Sequence, residues 1–151
     1  MPKFGTPDWA NTFCETVNNN DAYAEAAATW EGDFIFVVHP SGNLDHEIQM
    51  YIGLYHGDCT GAAVLKEGEE YKLLEKGEEP SGNDPPPYEA EFLYEAKYDD
   101  WVKILKKELD PIRALLSGKA KVKGDMAKIM RATKAAQELV RSTTLMETEF
   151  Y

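Results

Sequence analysis

The feature that most constrains the fold of this chain is a change of hydrophobic period along it. Up to Gly32 apolar residues recur at helical spacing, from Phe34 to Tyr98 they alternate in the manner of strands, and beyond Tyr98 helical spacing returns with one short alternating run inside it. Helices, then several strands, then helices again specify an α+β architecture rather than a parallel βαβ series. At 151 residues the chain is read as one domain, long enough to bury roughly two thirds of the surface its unfolded form exposes.

Thr6-Pro7-Asp8 is a helix entry, and Trp9, Phe13 and Val17 follow at spacings of four until Asn18-Asn19-Asn20 ends the stripe. A second helix, rich in alanine, is expected over residues 22–30. Phe34 to Val38 is apolar on both faces, as suits a strand covered on both sides. Residues 46–55 alternate most cleanly, with Ile48, Met50, Ile52 and Leu54 on one face. Shorter strands are expected over 60–65 and 71–74, an exposed and mobile loop over the proline-rich 78–87, and one long strand over 88–98. Asp99 or Asp100 is placed to cap a helix over 101–107.

Leu109 to Met130 then reads helix, strand, helix. Asp110 caps a short helix that opens on Pro111, Gly118 can take the left-handed conformation that ends it, and Lys119 to Lys123 turns Ala120 and Val122 inward with three ammonium groups towards water. Gly124 closes the strand and Asp125 caps a final helix running from Met126 towards Arg141. The tail over 142–151 carries Leu145, Met146, Phe150 and Tyr151, too apolar to float freely.

The net charge of −11 argues against non-specific nucleic-acid binding, which depends on cations that neutralise phosphates. Residues 97–151 nevertheless carry 12 basic against 8 acidic side chains, whereas residues 1–96 carry 4 against 19. A solvated face accounts for that positive end, and a docking patch for anionic lipid or an acidic protein is its functional reading. The N-terminus lacks the apolar core of a signal peptide and no run approaches a membrane span, so a soluble, cytoplasmic protein is expected.

Direct signs of catalysis are weak. No glycine pattern matches a phosphate loop, and His39, His46, His56, Cys14 and Cys59 lack the short spacings of a metal site. Neither a metal nor a cofactor is expected. Cys14 and Cys59 could form one bridge, but two reduced, semi-apolar fillers are the reading preferred for this composition. A thiol nucleophile at Cys59 beside His56 fails because positions three apart on a strand face opposite ways. Five methionines, three of them at Met126, Met130 and Met146, suit either an ordinary core or a surface that adapts to apolar shapes.

One resemblance sharpens this. Tyr98-Asp-Asp-Trp-Val-Lys-Ile-Leu, Leu109-Asp-Pro-Ile, and Leu115-Leu-Ser-Gly-Lys-Ala-Lys-Val-Lys-Gly-Asp125-Met with Ile129 beyond it resemble the C-terminal half of the sterol-carrier-protein type 2 family, most strongly over residues 98–130. The resemblance implies a five-stranded, mainly antiparallel sheet covered by helices, an apolar cavity holding a fatty acid, acyl-CoA, sterol-like molecule or other lipid, and no catalytic residues. Combined with the periodicity, it nominates Ile52, Leu54, Phe92, Leu115, Leu116, Met126, Ile129, Met130, Leu145 and Met146 as ligand contacts. Residues 145–151 become a candidate lid, and Lys119, Lys121 and Lys123 a candidate contact for an anionic head group or membrane. The alternative is an interaction module with a filled core that dimerises or docks through its apolar tail.

Overall fold

The computed structural model describes residues 1–81 and 87–151, so the loop expected over 78–87 lies in part outside the described residues. Helix α1 (Pro7–Asn18) begins where expected, with the Thr6 hydroxyl accepting from Trp9 N–H, and it buries Trp9, Phe13 and Val17. Helix α2 (Asp21–Ala26) is shorter than its alanine content suggests. Its Asn20 cap accepts from the amides of Ala22 and Tyr23, and the chain leaves the helix at Ala27 to turn Trp30 inward.

The strands are β1 (Phe34–His39), β2 (Ile48–Tyr55), β3 (Asp58–Val64), β4 (Tyr71–Leu73), β5 (Tyr88–Ala90), β6 (Phe92–Lys97) and β7 (Ala120–Lys123). Five of them form a mixed sheet in the order β3-β2-β1-β6-β7, in which β1 and β6 pair in parallel and the other neighbours are antiparallel. β1 is apolar on both sides because the sheet is covered on both faces at this strand. Phe36 and Val38 join the large core beneath the helices, while Ile35 and Val37 join a smaller cluster on the opposite face. That face is covered by a separate two-stranded sheet of β4 and β5, through Tyr71, Leu73 and Tyr88.

The long strand expected over 88–98 is divided at Glu91. β5 pairs with β4 and β6 with β1, so Ala90 and Phe92, two residues apart and expected on one face, fall into different apolar clusters. A two-residue period places side chains together only while one ladder continues.

After β6 come helices α3 (Tyr98–Leu105) and α4 (Pro111–Leu116). α3 begins earlier than expected: Lys97 occupies its cap position without a side-chain bond, and Asp99 and Asp100 lie inside the first turn, where carboxylates complement the helix dipole. It ends in a Schellman turn, with Lys107 N–H donating to Ile104 O at 3.1 Å and Glu108 N–H to Lys103 O at 2.8 Å. Lys107 sits in that turn at φ 61°, a left-handed conformation that costs a side chain roughly 1–2 kcal/mol and that glycine adopts freely. α4 matches expectation: Asp110 accepts from Ile112 and Arg113 amides, Pro111 opens the helix, and Gly118 at φ 77° follows its end.

The final helix is broken. α5 (Met126–Arg131), capped by Asp125, and α6 (Thr133–Arg141) meet at Ala132, whose φ −108° and ψ 28° leave the helical region. A short 3-10 turn (Ser142–Leu145) follows. The tail then runs beside the N-terminus, where Phe4 N–H donates to Glu149 O and Glu149 N–H to Pro2 O, both at 2.8 Å. Lys3 Nζ sits 4.3 Å from the centre of the Tyr151 ring.

Cys14 of α1 and Cys59 of β3 form a disulfide, with Cα atoms 5.4 Å apart. This corrects the expectation of two reduced cysteines. The Asn18 side chain prepares the approach by donating to Cys59 O at 2.9 Å and accepting from Cys59 N–H at 2.7 Å, as a neighbouring strand would.

Candidate functional site: an apolar cavity and its polar neighbour

Between the sheet and the helical layer lies a cavity of about 80 Å³. Its sheet wall is Phe34, Phe36, Met50, Leu54 and Tyr94, which alternate onto one face of β1, β2 and β6. The N-terminal helices contribute Trp9, Phe13 and Tyr23, and α3 contributes Trp101, Ile104 and Leu105. On the C-terminal side Ile129 comes from α5, Ala132 from the junction after it, and Ala135, Ala136, Leu139 and Val140 from α6.

The lining is apolar because its polar atoms are engaged elsewhere. The indole N–H of Trp9 donates to Thr148 Oγ1, that of Trp30 to Gly32 O and that of Trp101 to Val37 O, at 2.9–3.0 Å. The Tyr94 hydroxyl donates to Pro111 O at 2.8 Å, and the Thr143 hydroxyl to Val140 O at 2.7 Å. Tyr23 differs: it is 2% exposed and lines the cavity, yet its hydroxyl makes no hydrogen bond among the described residues. Burial pushes its pKa well above the ordinary tyrosine value, so it stays a protonated donor.

Of the residues nominated from sequence, Leu54 and Ile129 line this cavity. Ile52 and Phe92 are fully buried in the surrounding core, where Phe92 stacks on Phe34 at 5.2 Å and packs against Trp30 at 5.4 Å, behind the lining. Leu115 and Met146 are partly buried against the core. Leu116, Met126, Met130 and Leu145 face outward at 74%, 43%, 38% and 52% exposure. The lining stripe on this side is Ile129, Ala132 and Ala136, and both methionines lie off it. Sequence reasoning missed Tyr23, Trp101 and the alanines Ala132, Ala135 and Ala136, whose helical spacing is the signal that could have found them.

Lys119, Lys121 and Lys123 alternate with inward Ala120 and Val122. In register Lys121 opposes Glu95 and Lys123 opposes Leu93, and Leu93 belongs to the cluster on the far side of the sheet. Cross-strand partners share a face, so these lysines stand on the side opposite the cavity and outside its wall.

A second pocket, of about 210 Å³, adjoins the first. Ile104, Pro111 and Val140 line both. Its remaining boundary is mostly polar: Lys107, Asp110, Lys134, Gln137, Glu138 and Arg141. Glu138 accepts from Arg141 Nε at 2.6 Å and from Lys134 Nζ at 3.3 Å, and the Arg141 bond above all holds its carboxyl below the usual carboxylate range. Asn20 completes this knot, donating to Glu138 O and Ser142 Oγ and accepting from Arg141 Nη2 at 3.0 Å.

Among the described residues no cluster of three or more histidine, cysteine or acidic groups is placed to hold a metal ion, and no helix is long and apolar enough to cross a membrane.

A mixed five-stranded sheet with helices on one face, closing over an apolar space, is the architecture of a lipid-transfer fold. The SCP-2 sterol transfer family matches residues 10–137, and the chain belongs to that family. Two solved structures are similar over nearly the whole chain. A crystal structure of sterol carrier protein 2 shares 28% identity at a TM-score of 0.74, over 96% of this chain and 100% of that one. The solution structure of a conserved hypothetical protein from Thermus thermophilus, described as possibly a sterol carrier protein, also shares 28% identity, at a TM-score of 0.77, over 99% of this chain and 93% of that one. The apo form of sterol carrier protein 2 from Yarrowia lipolytica, 15% identical at a TM-score of 0.51 over 88% and 87% of the two chains, is alike in fold. No curated protein matches the chain.

Proposed function

We propose that the chain is a carrier that takes up one apolar ligand, a fatty acid, acyl-CoA, sterol-like molecule or other lipid, in the cavity between sheet and helices and performs no covalent step on it. The observation that carries this reading is the cavity lining, in which aromatic and aliphatic surface is presented while every polar side-chain group except the Tyr23 hydroxyl is bonded among the described residues. Transfer of apolar surface out of water then supplies the affinity, about 0.8 kcal/mol for each methylene buried. Leu54, Ile129, Met50, Trp101 and Leu139 are the side chains assigned to the ligand.

A cavity of about 150 Å³ suffices for benzene, so at about 80 Å³ the walls must part to admit a lipid. The wall carries its smallest side chains at the α5–α6 junction and the start of α6, where Ala132, Ala135 and Ala136 face the cavity. In this reading Leu116, Met126, Met130 and Leu145 are the exposed apolar groups offered to an anionic membrane, a protein partner or a second copy of the chain. The alternative, docking through the tail, has less to work with because the tail is already bonded to the N-terminus. A cytoplasmic location belongs to the same proposal with one condition: disulfides persist in oxidising surroundings, so there Cys14 and Cys59 would be held as thiols.

Native mass spectrometry of the purified chain and displacement of a fluorescent fatty acid test this. Co-purified or displaceable lipid at one equivalent is the expected result. Absence of bound lipid together with no displacement would overturn it.

A further inference from the structure

We propose that the pocket bounded by Lys107, Lys134 and Arg141 is a subsite for the anionic head group of a single-chain amphiphile whose tail occupies the adjoining apolar cavity. The inference rests on the apolar-ligand reading and adds to it the chemistry of the ligand's other end.

Adjacency is the first support. Ile104, Pro111 and Val140 line both the apolar space and the polar one, so once that shared wall parts a molecule with one tail and one charged end matches the pair of spaces better than a wholly apolar one.

Charge is the second. The pocket holds three cations against Asp110 and Glu138, and both carboxylates are already satisfied. Asp110 accepts from two backbone amides of α4 and, through its other oxygen, from Gln137 Nε2 at 2.8 Å. Glu138 is taken by Arg141 and Lys134. The Lys107 ammonium has no side-chain partner among the described residues, and it supplies the uncompensated positive charge of the pocket.

Backbone conformation is the third. Lys107 holds the left-handed position of a Schellman turn, where glycine fits without strain. A side chain held in a left-handed turn where glycine would fit without strain points to use of that side chain. Lys119, Lys121 and Lys123, the lysines that stand out in sequence, are on the other face of the sheet and cannot meet the head of a ligand held in this cavity.

The test compares dodecanoate, dodecyl phosphate and dodecanol as ligands of the delipidated full chain near neutral pH, by titration calorimetry at low and high salt. Lys107 is exposed, so a charge-assisted bond to it gives at least one anion a roughly two- to fivefold advantage over the alcohol, shrinking as salt is raised. Dodecyl phosphate as the tighter anion assigns the subsite to phosphate and dodecanoate to a fatty carboxylate; both support the proposal. Lys107→Gly should remove most of the advantage, leave dodecanol binding unchanged and raise the thermal midpoint, a combination that a purely structural lysine would not give. Lys134→Ala should reduce the advantage further in the double variant. Equal affinity for anions and alcohol overturns the subsite while leaving the apolar cavity standing. So does loss of dodecanol and anion binding in equal measure on Lys107→Gly. Failure of all three ligands to bind overturns both readings.

Discussion

The two sides of the helical layer over the cavity are built differently. On the N-terminal side α1 is fixed to β3 by the Cys14–Cys59 bond and by the paired hydrogen bonds of Asn18, and its Trp9 stacks on Phe13 at 5.1 Å while bonding to Thr148. On the C-terminal side α4, α5 and α6 have six, six and nine residues, are interrupted at Ala132, and present alanine to the cavity. Short helices draw their stability from packing, and small side chains supply little of it. The N-terminal side is therefore the better braced of the two, and under the carrier reading proposed above the C-terminal side is the one expected to part for a ligand larger than the cavity.

The largest expected effect tests the fixed side. Replacing both cysteines, Cys14→Ser with Cys59→Ser, removes a cross-link spanning 45 residues of sequence. Loop-closure entropy puts the cost at about 4 kcal/mol, read as a lower midpoint in urea unfolding. Ligand affinity should change little, because the bond lies on the side that does not move. A large loss of affinity with the fold intact would break the comparison.

Next is the joint between the sides. Asn20 caps α2 and bonds to Glu138 O, Ser142 Oγ and Arg141 of the C-terminal side. Asn20→Ala removes the cap and leaves buried partners unsatisfied, at a cost of about 2–3 kcal/mol. Amide exchange should accelerate in α6 and stay slow in α1. Uniform acceleration of both would show that the two sides open as one.

How far these regions could be read from sequence follows from what fixes them. β2 was legible because Ile48, Met50, Ile52 and Leu54 obey a local rule over an uninterrupted ladder. Asp110, Pro111, Gly118 and Asp125 were legible because caps and left-handed turns act within a few residues. The split at Glu91 was not, since it depends on β4 and β1 competing for neighbouring segments of one run. Met126 and Met130 were nominated by their spacing to Ile129, and the structure holds both on the exposed side of α5. The disulfide runs against the expectation of two reduced cysteines because two cysteines 45 residues apart give no sign of meeting until α1 is laid on β3. The polar pocket draws on residues from 104 to 141; its one local trace is the Lys134, Glu138, Arg141 spacing along α6.

A smaller effect concerns how acid acts on the yielding side. Arg141 foremost, then Lys134, hold the Glu138 carboxyl below its ordinary range, against the opposing effect of burial. The folded value lies below the unfolded one, so the contribution of Glu138 is complete above about pH 4.3 and is lost as pH falls through the folded value. α6 should therefore loosen before α1 as pH is lowered, and Glu138→Gln should flatten that part of the profile. If amide exchange in both helices rises together in the parent protein, Glu138 is not what holds the yielding side at low pH.

The smallest effect on stability distinguishes what each side gives the ligand. Tyr23 lines the cavity from α2 with a hydroxyl that finds no partner among the described residues, whereas the Tyr94 hydroxyl is spent on Pro111 O. Tyr23→Phe removes a polar group that has no protein partner, so the ligand-free protein should gain up to about 1 kcal/mol. Burial raises the pKa of both tyrosines, and stability they share is present below about pH 10 and lost as pH climbs above it; Tyr23→Phe should soften that alkaline loss. For an entirely hydrocarbon ligand the variant should bind as the parent does. For a ligand with an oxygen that reaches Tyr23, affinity should fall about five- to tenfold, the value of one neutral hydrogen bond. Equal weakening for both ligand types would mean that the ring alone acts on the ligand, and that the fixed side supplies shape without a polar contact.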